Sequence, residues 1–127
     1  MGSQITETAK WDDYHGKAFI FVDYADLKGQ DLADAIEANR VAFLDLAKSG
    51  HSEFLFLVDV TSCLVTDEAL EAFKRNTKDL KPHTKGSAVV GITGLRKFAL
   101  EIVNKFSGLP TKPFNDHEEA KEWLSKL

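Results

Sequence analysis

Disulfides, membrane spans and nucleotide loops are all missing from this chain, and each absence narrows what it can be. Cys63 is the only cysteine among 127 residues, so no internal disulfide can form, which suits a reduced, cytoplasmic setting. No apolar run approaches the roughly 20 residues that span a bilayer. Met1-Gly2-Ser3-Gln4 lacks the basic-then-apolar order of an export signal, and the expected location is the cytoplasm. Charge of one sign is also scarce: 16 basic against 20 acidic residues leave a net charge of −4, which disfavours general attraction to nucleic acid or anionic lipid. No Gly-x-Ser-x-Gly elbow, Walker loop or dinucleotide fingerprint occurs. His15, His51, His83 and His117 fall in separate turns or caps with no pair at metal-ligand spacing, so neither a metal nor another cofactor is expected.

What is present is a single domain's worth of core, with 43% hydrophobic residues and no linker or low-complexity segment. Two stretches nearly copy each other, Ala18-Phe19-Ile20-Phe21-Val22-Asp23 and Phe54-Leu55-Phe56-Leu57-Val58-Asp59. Each is an apolar run without polar alternation that stops at an aspartate, the pattern of strands buried on both faces under helices. Open α/β sheets bind ligands and carry switches at the carboxyl ends of such strands, so Asp23 and Asp59 mark the edge of interest. The segments after the two aspartates share no sequence pattern, which argues for two strands of one sheet and against a repeat.

Around these strands the chain reads β-β-α-β-α-β-α-β-α. Ile5 to Trp11 alternates loosely as an edge strand, residues 1–10 otherwise being flexible, and Asp12 to Gly16 has turn chemistry for a hairpin into Lys17 to Tyr24. A helix is expected from about Gln30 to Lys48, with Asp31 in its first turn and Gly50 past its end. Leu32, Ala35, Ile36, Phe43, Leu46 and Ala47 form its apolar stripe; Val41 and Leu44 lie off it. The strand Phe54 to Val60 leads through Thr61-Ser62-Cys63-Leu64-Val65 to Thr66, an N-cap for a helix to about Leu80, ended by Pro82 and Gly86. Ser87 to Ile92 is the third buried strand. Thr93-Gly94-Leu95 opens an amphipathic helix over residues 94–107, and Thr111 to Phe114 forms a last strand. Asn115 to Glu118 has the form of a capping box with Asn115 as cap, before a helix that buries Ala120, Trp123, Leu124 and Leu127. The whole describes a sandwich around a mixed, mostly parallel sheet of four to five strands with about four helices.

Val22-Asp23-Tyr24, Leu57-Val58-Asp59-Val60-Thr61, Val89-Val90-Gly91-Ile92-Thr93-Gly94-Leu95, Asn104-Lys105-Phe106-Ser107-Gly108 and the closing Phe114 to Leu124, in this order of elements, resemble the SpoIIAA-like branch of the STAS family. The resemblance implies a non-catalytic regulatory module that binds a protein partner, as anti-sigma-factor antagonists do. It also implies similarity to CRAL-TRIO domains, which carry lipid-like ligands. Antagonist members have an Asp-Ser-Ser-Gly-Leu segment whose serine is phosphorylated; its counterpart here is Thr66-Asp67-Glu68-Ala69-Leu70, so acids stand in the phosphoacceptor position. Asp23, Asp59, Thr93 and Lys112-Pro113-Phe114 also fit the order of acids, hydroxyl and lysine in response-regulator receivers. Against that, Asp23 and Asp26 are not adjacent, and only residues 49–53 separate the first helix from the Asp59 strand.

Two readings therefore lead. In one, a protein partner docks on a rim of Asp23, Asp59, Thr61, Ser62, Thr66, Asp67, Thr93 and Gly94. In the other, a small apolar ligand lies between the sheet and residues 94–107; a homodimer contact is open to either. Neither needs catalysis, and no nucleophile, base and orienter are assembled in sequence. Cys63 reads as a small core residue, Gly91 to Gly94 as a tight strand-to-helix turn, and the lysines and arginines between Lys74 and Lys97 as a solvated face.

Overall fold

Five strands lie side by side in the order in which they occur along the chain. The structure is a computed structural model that describes residues 4–91 and 111–127. Strands β1 (Ala9–Tyr14) and β2 (Lys17–Asp23) form an antiparallel hairpin, and β3 (Phe54–Asp59), β4 (Thr84–Val90) and β5 (Thr111–Phe114) continue the sheet in parallel. Helices α1 (Gly29–Lys48) and α2 (Asp67–Leu80) connect β2 to β3 and β3 to β4, and α3 (His117–Ser125) closes the chain.

The pleat sends alternate residues of each apolar strand to opposite faces. Ile20, Val22, Phe54, Phe56 and Val89 join Leu32, Ile36 and Phe43 of α1 and Ala69 and Ala72 of α2 in one core. Phe19, Leu55, Leu57, Ala88 and Val90 meet Ala120 and Leu124 of α3 in the other. Consecutive parallel strands joined by right-handed crossovers put both connecting helices on one face, where Arg40 of α1 pairs with Asp79 of α2 at 2.9 Å. Continuous apolar runs in β2 and β3 follow from this double coverage.

Several sequence expectations shift by a few residues. The hairpin turn is only His15-Gly16, both at positive φ (51° and 81°), as a two-residue turn matched to strand twist requires; Asp12, Asp13 and Tyr14 are strand residues, so β1 starts at Ala9 rather than Ile5. β4 begins at Thr84, and Gly86 lies inside it instead of ending the α2 unit. Trp123 and Leu127 close over Gly86, where an added Cβ would meet Leu127 Cδ1 at 2.5 Å. The cap of α3 is Asp116, whose Oδ1 accepts from the Glu119 amide at 2.8 Å; with Asn115 and Asp116 both able to cap, sequence alone set the register one residue early. Thr66 caps α2 as expected, accepting from the Ala69 amide at 3.3 Å. The helix expected over 94–107 lies outside the described residues.

Candidate functional site

Asp23 and Asp59 are register partners at the ends of neighbouring parallel strands, so their side chains leave the same face of the sheet. Each makes the same turn. Asp23 Oδ1 accepts from the Ala25 amide at 3.0 Å, and Asp59 Oδ1 from the Thr61 amide at 2.9 Å. Leu27 N–H then donates to Tyr24 O, and Cys63 N–H to Val60 O, both at 3.1 Å. The third residue after each aspartate takes positive φ, 68° at Asp26 and 59° at Ser62. The copied strands thus end in copied turns, a kinship that the dissimilar side chains of residues 24–27 and 60–63 conceal.

Backbone bonds lace the turns together. Tyr24 N–H donates to Asp59 O, Asp26 N–H to Thr61 O, Leu64 N–H to Leu27 O and Gly29 N–H to Leu64 O, at 2.9 to 3.1 Å. The Cys63 thiol, in the core as expected, donates to Tyr24 O at 2.8 Å. Two loops therefore behave as one extension of the sheet, and on it Leu64 stands 57% exposed.

The two aspartates differ in what else they touch. Asp23 is exposed. The Asp59 side chain is only 15% exposed, and its Oδ2 lies 2.9 Å from Nε2 of His117, the first residue of α3. Burial opposes the Asp59 charge, yet the hydroxyl and amide of Thr61 and the His117 imidazole together hold its carboxyl below the usual carboxylate range. The His117 ring also packs on Phe21 of β2, with centroids 5.5 Å apart. Beneath the turn, Gly91 sits at φ +88°, and a Cβ there would come within 2.2 Å of Thr61 Oγ1 and 2.7 Å of its Cα and N. Only glycine lets the Thr61 backbone lie so close.

Of the eight residues expected on the rim, Asp23, Asp59, Thr61, Ser62, Thr66 and Asp67 are gathered along these turns and the start of α2; Thr93 and Gly94 lie outside the described residues. The Thr66 hydroxyl is engaged in capping, whereas Thr61, Ser62, Asp67 and Glu68 face solvent. Asp67 and Glu68 also line an open groove of about 490 Å³ between α1 and α2, together with Asp34, Glu37 and Glu71.

Two residues escaped the sequence reading. His117 was visible only as a helix-start histidine, because its partner is 58 positions away. Asn39 of α1, not singled out in the sequence, is fully buried. Its Nδ2 donates to Tyr24 Oη at 2.8 Å and Thr8 Oγ1 at 2.9 Å, and its Oδ1 accepts from Thr6 Oγ1 at 2.5 Å. This network pins the residues before β1 to α1 and to the Asp23 turn. Burial pushes the Tyr24 hydroxyl well above its ordinary pKa, only partly offset by the Asn39 hydrogen bond. The signal was its spacing: Asn39 falls three residues after Ile36 and four before Phe43, a polar side chain in the middle of the apolar stripe of α1.

No protein-family model matches the sequence, and no curated protein does. Among solved structures, an uncharacterized protein of the DUF3478 family with a SpoIIAA-like fold, from Shewanella loihica PV-4, superposes with a TM-score of 0.68 over 91% of each chain, at 19% sequence identity. The fold is SpoIIAA-like. The mixed sheet flanked by helices agrees with the class expected from sequence. Its consecutive strand order differs from the 2-1-3-4-5 order of doubly wound receiver-type sheets, so Asp23, Asp59 and Lys112 do not sit on a receiver frame. No described helix is long and apolar enough to cross a membrane. The proposed apolar-ligand space adjoins residues 94–107, outside the described part.

Proposed function

We propose that this protein is a non-catalytic docking module whose partner is a protein that binds the rim of the Asp59 turn and the first turn of α2. The supporting observation is Leu64, an exposed leucine held on two laced turns. A rigid, preformed contact loses little conformational entropy on binding, which makes a single apolar side chain an effective anchor. Asp23, Asp26, Asp67 and Glu68 are all exposed along the same turns and helix start, with Lys28 as the lysine among them. A matching partner offers an apolar socket for Leu64 bordered by lysine or arginine. Such a surface accords with the resemblance to partner-binding antagonist domains, with Asp67 and Glu68 supplying fixed negative charge in place of a phosphorylatable serine.

A photoreactive residue at Glu68 tests this in cells of the source organism. One protein adduct is expected, lost with Leu64→Asp and weakened in high salt, while the same probe at Val41, 50% exposed on α1, gives none. An adduct indifferent to Leu64→Asp contradicts the rim as the contact. A tightly bound small apolar molecule in native mass spectrometry of the fresh protein, with no adduct at Glu68, supports the carrier reading instead.

A further inference from the structure

We propose that His117 is a protonation-dependent latch that sets how firmly the Asp59 turn, and with it Leu64, is held. This deepens the docking reading by naming a control on the same rim. Three observations converge on it. His117 Nε2 is 2.9 Å from Asp59 Oδ2. The other oxygen of that carboxylate holds the Thr61 amide, so imidazole and turn share one acceptor group. The His117 ring is 40% exposed, which gives protons free access while Phe21 keeps the ring on the sheet.

The two protonation states bind Asp59 differently. A neutral imidazole donates from Nε2 only in one tautomer; in the other, a lone pair faces the carboxylate. The imidazolium donates from both nitrogens and forms a charge-assisted bond about twice as strong as a neutral one. The described charged groups on the elements packed against it include Asp59 of β3, Asp23 at the end of β2, Lys10 of β1 over the Phe21 ring at 5.9 Å, Lys112 of β5, and Asp116, Glu118 and Lys121, one helical turn on, of α3 and its cap. The facing residues of β4, Ala88 and Val90, are apolar. The positive end of the α3 dipole opposes the cation, but at roughly 0.3–1 kcal/mol it is weaker than a charge-assisted hydrogen bond.

The Asp23 turn supplies an internal control, because it has the same Asx bond, to the Ala25 amide, without a histidine. The test is amide NMR on the isolated protein from about pH 8 to about pH 5.5, the range in which histidine changes charge. The Thr61 amide signal is expected to move in step with the His117 imidazole while Ala25 stays in place. Exchange protection of residues 61–64, corrected for intrinsic rates, is expected to rise about fivefold toward the acid end. His117→Gln should abolish both effects, and Glu118→Gln should leave them. Equal responses at Thr61 and Ala25, protection that is constant or falls, or a Thr61 response that survives His117→Gln would each overturn the latch. No partner enters this measurement, so a failure of the docking reading leaves its outcome unchanged.

Discussion

The Asp23 and Asp59 turns share a backbone but not a role. Both bond the amide two residues on, close with an i to i+3 bond and place a non-glycine residue at positive φ. Around Asp23 the anchor lies inward, where Tyr24 reaches the buried Asn39, and the carboxylate faces water. Around Asp59 the carboxylate itself is the anchor, joined to His117, while the Thr61 backbone of its turn lies against Gly91. Local sequence makes the turn; the neighbours that the sheet brings alongside decide what it does. One turn fastens the segment before β1, and the other joins α3 to the rim.

The largest expected effect falls on the Asp59 turn. Gly91→Ala puts a Cβ into the Thr61 backbone at a φ that L side chains rarely adopt, and should cost about 3 to 5 kcal/mol in denaturant unfolding, with Thr61 to Leu64 losing amide protection. Next, Asn39→Ala should cost about 2 to 3 kcal/mol by leaving the Tyr24 hydroxyl buried without its donor. Its exchange protection should fall around residues 6–8 and 24–27 and persist at 61–64. Loss at both turns alike would mean that the lacing bonds, rather than separate anchors, hold them.

Much of this was readable beforehand, and the rest was hidden for physical reasons. Apolar runs ending at Asp23 and Asp59, the Thr66 cap and the order of elements carry local signals, and the structure agrees with them. Asp12-Asp13-Tyr14 misled because strand edges accept the same polar residues as turns, and Gly86 because a glycine kept for close packing looks like a breaker. His117 meeting Asp59, and Asn39 meeting Thr6 and Thr8, depend on tertiary placement that no spacing rule encodes. Six of the rim residues lie along the two turns and the start of α2, yet the property that separates Asp59 from Asp23 lies in the contact with α3.

Smaller effects follow for the carboxylates. Asp59→Asn should cost about 1 kcal/mol, whereas Asp23→Asn, exposed and still able to make the turn, should change stability by only a few tenths. The folded-state pKa of Asp59 lies below its unfolded value. Its contribution is therefore fully present above about pH 4 and is lost as pH falls through the lower folded value. Acid unfolding curves should show a shallower loss of stability in Asp59→Asn than in the unmodified protein. Smallest of all, Asp26→Gly and Ser62→Gly should each stabilise by about 0.5 kcal/mol, since glycine adopts positive φ without strain; a destabilisation at Ser62 alone would reveal a side-chain role in its turn.

A pair of double-mutant cycles measures most directly whether the two turns differ as described. Unfolding free energies of Asp59→Asn, Asp23→Asn and His117→Gln, alone and combined, should give a coupling of about 1 kcal/mol between positions 59 and 117 and less than about 0.3 kcal/mol between 23 and 117. Equal couplings, or none at position 59, would show that His117 does not distinguish the turns and that the rim is not tied to α3 through Asp59.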